Sequence, residues 1–342
     1  MAQIIPKNLV SVESNWQKEL ATAFTDPESL LHYLKLDPRQ FSEDVAARKL
    51  FPMRVPRHFA SLMHQQDRHD PLLLQVFPRA AEFDKVAGFT HDPLSEQHNT
   101  TPGLLHKYRS RVLLIVRGGC AVNCRYCFRR HFPYADNSPS RAQWDDALTK
   151  IAADETINEV ILSGGDPLMA KDLALADLAS KIADIASVKR LRIHTRLPVV
   201  LPHRVDTGLL SWLEALPLQR VMVLHINHVH EISPALVNAV SALKKIGVTV
   251  LNQAVLLRGI NDSVDTQVAL SEGLFDAGIL PYYLHLLDKV AGAAHFEVST
   301  GEAKRIVREM LLQLPGFLVP KLVREVAGEG SKSPIDLHCT AD

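Results

Sequence analysis

From residue 111 onward the chain alternates short β-branched apolar runs with stretches long enough for a helix, and few folds accept that alternation. The runs are "RVLLIVR" (111–117), "NEVILSG" (158–164), "KRLRIHT" (189–195), "RVMVLHI" (220–226), "GVTVLNQ" (247–253) and "ILPYYLHL" (279–286). Amphipathic stretches near 141–153, 172–186, 205–215, 232–245, 264–277 and 299–313 follow them in turn. Strands joined by helices in this way pair in parallel, with the helices laid over the sheet. Six such βα units build either a partial barrel or a doubly wound open sheet. No short repeat or low-complexity tract competes with that reading.

The polar residues separate the two folds. A cysteine-rich loop follows the first run, "SGGDP" (163–167) ends the second, and His194, Thr195 and Arg196 end the third. His225, Asn227 and His228 end the fourth, Asn252 and Gln253 the fifth, His285 and Asp288 the sixth. Ligands bind at the carboxyl ends of strands in both folds, but polar groups arriving from every strand suit a barrel better than a single switch point. The expected class is therefore α/β, a partial (β/α)6 barrel like an incomplete TIM barrel. Residues 1–105 carry helical periodicity in pieces such as "ESLLHYLKL", broken by expected turns at Pro52, Pro56, Pro71 and Pro78. They are read as a mostly helical N-terminal region, and 106–342 as the barrel.

With 342 residues, 46% of them hydrophobic, there is ample material for a large core. Lys plus Arg and Asp plus Glu balance at 38 each, which leaves no global field to attract nucleic acid or an anionic membrane. The opening lacks a basic start before an apolar run, and no stretch is apolar for long enough to span a bilayer. The cytoplasm is the expected location. A chain with four cysteines, three of them clustered, has no secretory disulfide framework and fits a reducing compartment.

Those three, Cys120, Cys124 and Cys127, lie in "GGCAVNCRYCFRR" with the spacing C-x3-C-x2-C. A cubane 4Fe–4S cluster takes four ligands, so three thiolates leave one iron open. A zinc site completed by His131, or an ordinary cluster completed by Cys339, remains as an alternative at this point.

The spacing, with Tyr126 before the last cysteine and a strand before the loop, resembles the radical S-adenosylmethionine (SAM) superfamily. "HKYRSRVLLIVRGGCAVNCRYCFRR", "VILSGGDPL", "RIHTRLPVVLPHRV", "HINHVHEI", "NQAVLLRGIND" and "GEGSKSP", in that order, are similar to the lysine 2,3-aminomutase family. More narrowly they resemble its short bacterial branch, which acts in the β-lysylation of elongation factor P.

The resemblance implies a radical SAM barrel with a C-terminal segment for pyridoxal 5′-phosphate (PLP), and a shift of an amino group from the α to the β carbon. The open iron would hold the amino and carboxylate groups of SAM. Ser163, Gly164, Gly165 and Asp166 match the segment that holds the SAM amino group, with Asp166 pairing the ammonium; His228 and Gln253 would line the same cavity. Lys332 matches the lysine that bonds to PLP, and Lys107, Tyr108 and Arg111 match positions that cradle it, Arg111 at the phosphate. Arg129 matches the clamp on the substrate carboxylate; Asp288 and Glu325 match the acids that receive the ε-ammonium of L-lysine. Glu325 stands where the longer aminomutases usually carry Asp, and Glu329 and Ser331 interrupt the glycine run before Lys332.

Beyond the site, the expected reaction is conversion of L-lysine to β-lysine, as the (R) isomer, for elongation factor P and its lysyl-ligase-like modifying enzyme. An electron donor such as flavodoxin or ferredoxin is implied. The alternatives are a glutamate 2,3-aminomutase and a non-catalytic iron–sulfur electron carrier or sensor. "HINHVH" also has the content of a metal site, in His225, His228 and His230, although strand alternation would send neighbours apart.

Overall fold

The computed structural model describes residues 15–97, 103–134 and 141–338. Its centre is one nine-stranded sheet whose spatial order follows the chain from β1 to β9. The strands are β1 (Leu104–Tyr108), β2 (Arg111–Arg117), β3 (Glu159–Gly164), β4 (Arg190–Thr195), β5 (Gln219–Leu224), β6 (Thr249–Val255), β7 (Leu280–His285), β8 (Lys321–Arg324) and β9 (Ser333–Pro334). Strands β2 to β8 run parallel. The edges differ: β1 returns antiparallel on β2, and β9 antiparallel on β8.

The six expected strands correspond to β2–β7. The seventh parallel strand, β8, lies outside the expectation, as do both edge strands. "KLVR" is four residues long behind Pro320 and carries no alternation to read.

Two-residue periodicity sorts the sheet into two faces. On the inner face Leu113, Ile161, Ser163, Arg192, His194, Gln253, Val255, Tyr283 and His285 border a cavity. Their neighbours Val112, Leu114, Val160, Leu162, Leu191, Ile193, Ala254 and Leu284 are buried in the main hydrophobic core. The apolar half of each strand is thus spent on the helices outside, and the half facing inward is free to be polar.

The covering helices start where their sequences permit a cap. Ser233, Ser263 and Ser299 accept from the backbone N–H of Leu236, Thr266 and Glu302, opening Pro234–Lys245, Val264–Asp276 and Thr300–Gln313. The N-terminal region contributes short helices. Two of them begin at proline, Pro27 and Pro71, behind the caps Asp26 and Asp70. Pro71 therefore opens a helix where a turn was expected: its missing N–H costs nothing at that position. Trp16, Leu30, Phe59 and Leu72 of this region share one apolar core with Val112, Leu162 and Leu191 of the barrel. No helix among the described residues is long and apolar enough to cross a membrane.

Candidate active site

A cavity of about 240 Å³ opens at the carboxyl ends of the strands. Cys120, Cys124 and Cys127 all border it, in the loop that follows β2. The loop is held from behind by the N-terminal region. Arg54 Nη1 donates to Cys120 O (3.2 Å), and the Asn123 amide N–H donates to Arg54 O (3.1 Å). Arg125, wholly buried between the cysteines, donates to Glu82 (2.8 Å) and to Phe51 O (2.7 Å), and Arg130 reaches the same Glu82 (2.7 Å).

Burial pushes the Cys127 thiol up to about 11 and also raises Cys120 well above its ordinary value, with the neighbouring cysteines adding to both. Such thiols ionise only when a cation takes the proton's place, which is how iron binds. Arg196 Nη1 donates to Cys124 Sγ (2.8 Å) and Tyr126 Oη (2.6 Å), while Nη2 donates to Gln75 (2.6 Å) and Glu231 (2.8 Å). A guanidinium on a ligand sulfur tunes a cluster without ligating it. The His131 ring bonds Ala291 O through Nε2 (3.2 Å) and stacks on His91, outside the cavity lining, so it is no fourth ligand. Cys339 lies outside the described residues. The donor set fits a cluster with one iron open to a small ligand.

The end of β3 is built against this loop. Gly165 N–H donates to Arg117 O (2.7 Å) and Asp166 N–H to Gly119 O (3.1 Å). A Cβ on Gly164 would stand 2.5 Å from Arg117 O, and one on Gly165 2.7 Å from Gly119 O. Gly164 also holds φ +122°, so backbone contact already requires both glycines, whatever ligand follows. Asp166 borders the cavity with its carboxylate already bonded. Its carboxylate accepts from Thr195 Oγ1 (2.7 Å) and from the backbone N–H of Leu168 (3.0 Å), Arg196 (2.8 Å) and Leu197 (2.9 Å). Both oxygens take part in tying β3 to β4. Burial nonetheless pushes Asp166 up to about 6 against those bonds.

At the other end of the cavity, Lys332 Nζ donates to Glu325 Oε2 at 2.6 Å. Glu325 follows β8, and Lys332 sits in the turn back to β9. The edge strands missing from the sequence reading are what bring the lysine into the barrel. Lys107 and Tyr108, at the end of β1, approach Glu325 Oε1 at 3.4 and 3.5 Å, and Arg111 lies over the Tyr108 ring at 3.9 Å. Although burial opposes it, Lys332 and Lys107 hold the Glu325 carboxyl below its ordinary range. Asp288 behaves oppositely: burial, then the charge of Glu325, push it up to about 7. No described residue hydrogen-bonds its carboxylate.

Arg129 is buried, and all three nitrogens of its guanidinium already have acceptors. Nε and Nη2 donate to the two oxygens of Glu96 (2.7 and 3.2 Å), and Nη1 reaches Gly164 O (3.2 Å) and Ser163 Oγ (3.4 Å). Glu96 also meets Lys107 Nζ at 2.8 Å. A second carboxylate at this guanidinium would share it with the partners it already has. Glu96 was missed by sequence reasoning, because an acid 33 residues before its partner has no local signature.

Of the expected residues, only His228 falls outside the cavity lining. The chain turns after β5, so His228 packs its ring against His230 (4.4 Å) and accepts from the His230 N–H (3.2 Å). His225 does border the cavity, with its Nε2 3.4 Å from His194 Nδ1. Burial holds His225 down to about 4 and depresses His194 and His285 strongly, so these inner histidines are neutral. Gln253 Oε1 and His285 Nε2 are buried on the cavity wall with no hydrogen-bond partner among the described residues. Unmet polar atoms on a ligand-sized cavity are what a cofactor would satisfy.

Comparison with known proteins agrees with this geometry. The profile of the radical SAM superfamily matches residues 114–266, from β2 to the helix after β6. L-lysine 2,3-aminomutase of Escherichia coli (strain K12) is 51% identical over 339 residues, 99% of each chain. The enzyme of that name from Haemophilus influenzae is 49% identical, over 97% of this chain and 98% of that one. L-lysine 2,3-aminomutase of Clostridium subterminale is 32% identical over 94% of this chain but 78% of its own longer one. Three cavity-lining cysteines with an open fourth position are the family's means of holding a 4Fe–4S cluster and SAM, and with identity over nearly the full length they lead to one conclusion: the chain is an isomerase of the aminomutase type and belongs to the lysine 2,3-aminomutase family of radical SAM enzymes.

Proposed function

We propose that the protein is a PLP-dependent L-lysine 2,3-aminomutase that makes (R)-β-lysine for elongation factor P, working in the cytoplasm with a flavodoxin- or ferredoxin-like reductant. The carrying observation is that Asp288 and Glu325 border the same cavity as Lys332 and the three cysteines. Two acids at the far end of a cavity suit a ligand with a cationic tail. They oppose a glutamate aminomutase, whose γ-carboxylate would meet like charge.

In this reading the cluster and SAM supply a hydrogen-abstracting radical and PLP an electron-delocalising ring; the chain's own residues supply placement. Cys120, Cys124 and Cys127 hold the iron. Ser163, Gly164 and Gly165 bring backbone to the amino group of SAM, and Gln253 offers its unmatched Oε1 to the same ligand. Lys332 Nζ is paired with Glu325, and it must give up a proton before it can bond to PLP as a nucleophile. Glu325 at 2.6 Å is the nearest acceptor. Arg111, stacked on Tyr108, would hold the PLP phosphate with Lys107. Arg129, fixed on Glu96, is the cation for the substrate carboxylate. Asp288 and Glu325 take the ε-ammonium. The neutral His194, His225 and His285 add no charge to the cavity wall.

The test is anaerobic protein with iron restored, given SAM, PLP, dithionite and L-lysine, with products resolved on a chiral column and L-glutamate run in parallel. The expected product is (R)-β-lysine, accepted by elongation factor P in the presence of its modifying ligase. SAM left intact under reduction, with no colour from PLP, would support the electron carrier instead. Turnover of glutamate in preference to lysine would overturn the substrate assignment.

A further inference from the structure

His230, left over from the histidine-rich stretch after β5, meets two residues of the N-terminal region. His64 and Asp70 lie between the helices Arg57–Ser61 and Pro71–Val76, and His230 lies in the short 3-10 turn Val229–Glu231. One ligand atom from each of these three side chains lies within 4.8 Å of the others. We propose that His64, Asp70 and His230 form a divalent transition-metal site, zinc by preference, which pins the N-terminal region to the barrel loop behind the cluster.

The donors are held from outside the site. Asp70 is fully buried; Oδ1 accepts from the N–H of Leu72 and Leu73 (both 2.9 Å) and Oδ2 from that of His64 (2.9 Å). Those bonds fix the carboxylate and leave Oδ2 a further lone pair. The bond from His64 N–H also sets its imidazole beside that oxygen. His230 is fixed by donating its N–H to His228 Nδ1 (3.2 Å), and the rings of His64 and His230 stack at 5.1 Å and 27°. Two imidazoles and a carboxylate suit zinc, with water in the fourth place. Donors around a tetrahedral zinc stand about 3.4 Å apart, so closure takes about an ångström of rotation. Both imidazoles are exposed and have room for it.

The position gives the ion its work. Glu231, next to His230, accepts from the N–H of Asn227 (2.9 Å) and from Arg196 (2.8 Å), and Arg196 reaches Cys124 Sγ (2.8 Å). An ion at His230 therefore braces the layer on which one cluster ligand rests, yet touches neither cluster nor substrate.

The experiment uses tag-free holoenzyme with its iron already restored, so that the cysteines are occupied. It is dialysed against a mild chelator, then against micromolar zinc sulfate. Metals are counted per chain, the zinc X-ray absorption edge is recorded, and melting temperature is followed with and without zinc. The expected result is about one zinc per chain beside unchanged iron, a nitrogen and oxygen shell with imidazole scattering, and a melting temperature raised by zinc. His230→Ala and His64→Gln, both at exposed positions, should keep their iron and lose the zinc and the shift. Zinc absent from the native protein, zinc bound equally by both variants, or sulfur in the zinc shell would each overturn the site.

Discussion

Two demands conflict at Asp288. Burial and the neighbouring Glu325 favour its neutral form, with a value pushed up to about 7, but an acid that receives an ammonium must be charged. In the free protein the proton leaves as pH rises through about 7, so kcat/KM for L-lysine should climb over that range. The stability sign is opposite: a carboxyl raised above its unfolded value favours the fold at low pH, and loses that contribution as pH rises to about 7. Asp288→Asn should abolish the rising limb and cost about 2–3 kcal/mol in lysine recognition, roughly 30- to 150-fold in kcat/KM, a fully buried broken pair being an upper bound. Iron and PLP content should not change. A limb that survives in the variant would assign the titration to another group. Glu96 makes a second residue-level test. Glu96→Gln keeps the shape but removes the charge that fixes the Arg129 fork, so KM for lysine should rise about tenfold, near 1.4 kcal/mol, with the iron count intact. An unchanged KM would mean that the fork needs no support.

Between elements, the junction of β3 with the cysteine loop leaves no room for a side chain. A methyl on Gly165 would meet Gly119 O at 2.7 Å and Gly118 C and O at 2.9 Å, all of it backbone that cannot rotate away. Gly165→Ala should therefore displace the loop, cost about 1–3 kcal/mol, and lose more than half the iron per chain in a chemical iron assay. Retention of full iron would mean the loop can yield. This junction also marks how far the sequence could be read. Strands β2 and β4 were legible because apolar and polar positions alternate or run continuously there, and the cysteine spacing named its chemistry. The glycines were legible as glycines, but their reason, loop backbone some 45 residues earlier, was not. The four donors to Asp166 were equally out of sight, a closure that only the fold creates. His228 follows the strand where alternation lapses, and one turn of 3-10 helix sent it away from the cavity. The short β8 and β9 left no periodicity, and so the route that carries Lys332 into the barrel was invisible.

For the whole molecule, the N-terminal region matters because it holds the cysteine loop from outside the barrel. Glu82, 3% exposed, is the pin: it accepts from Arg125 and Arg130, and Arg125 is itself fully buried. Removing its charge leaves two guanidinium groups in the interior with half their partners, a break that costs about 3–5 kcal/mol. Glu82→Gln should lower the melting temperature by about 5–10 °C. A chelator should also strip iron from it faster than from the native protein, since the cysteine between-segment loses its anchor. The contrast is Arg39→Ala at the exposed Arg39–Asp37 pair (2.8 Å), where solvent screening leaves little to lose. Because the N-terminal helices and the barrel share one apolar core, both variants should unfold in a single transition seen alike by far-ultraviolet and tryptophan signals. If Glu82→Gln instead melted in two steps, with iron lost in the first, the N-terminal region would be a separate folding unit clipped onto a barrel that stands alone.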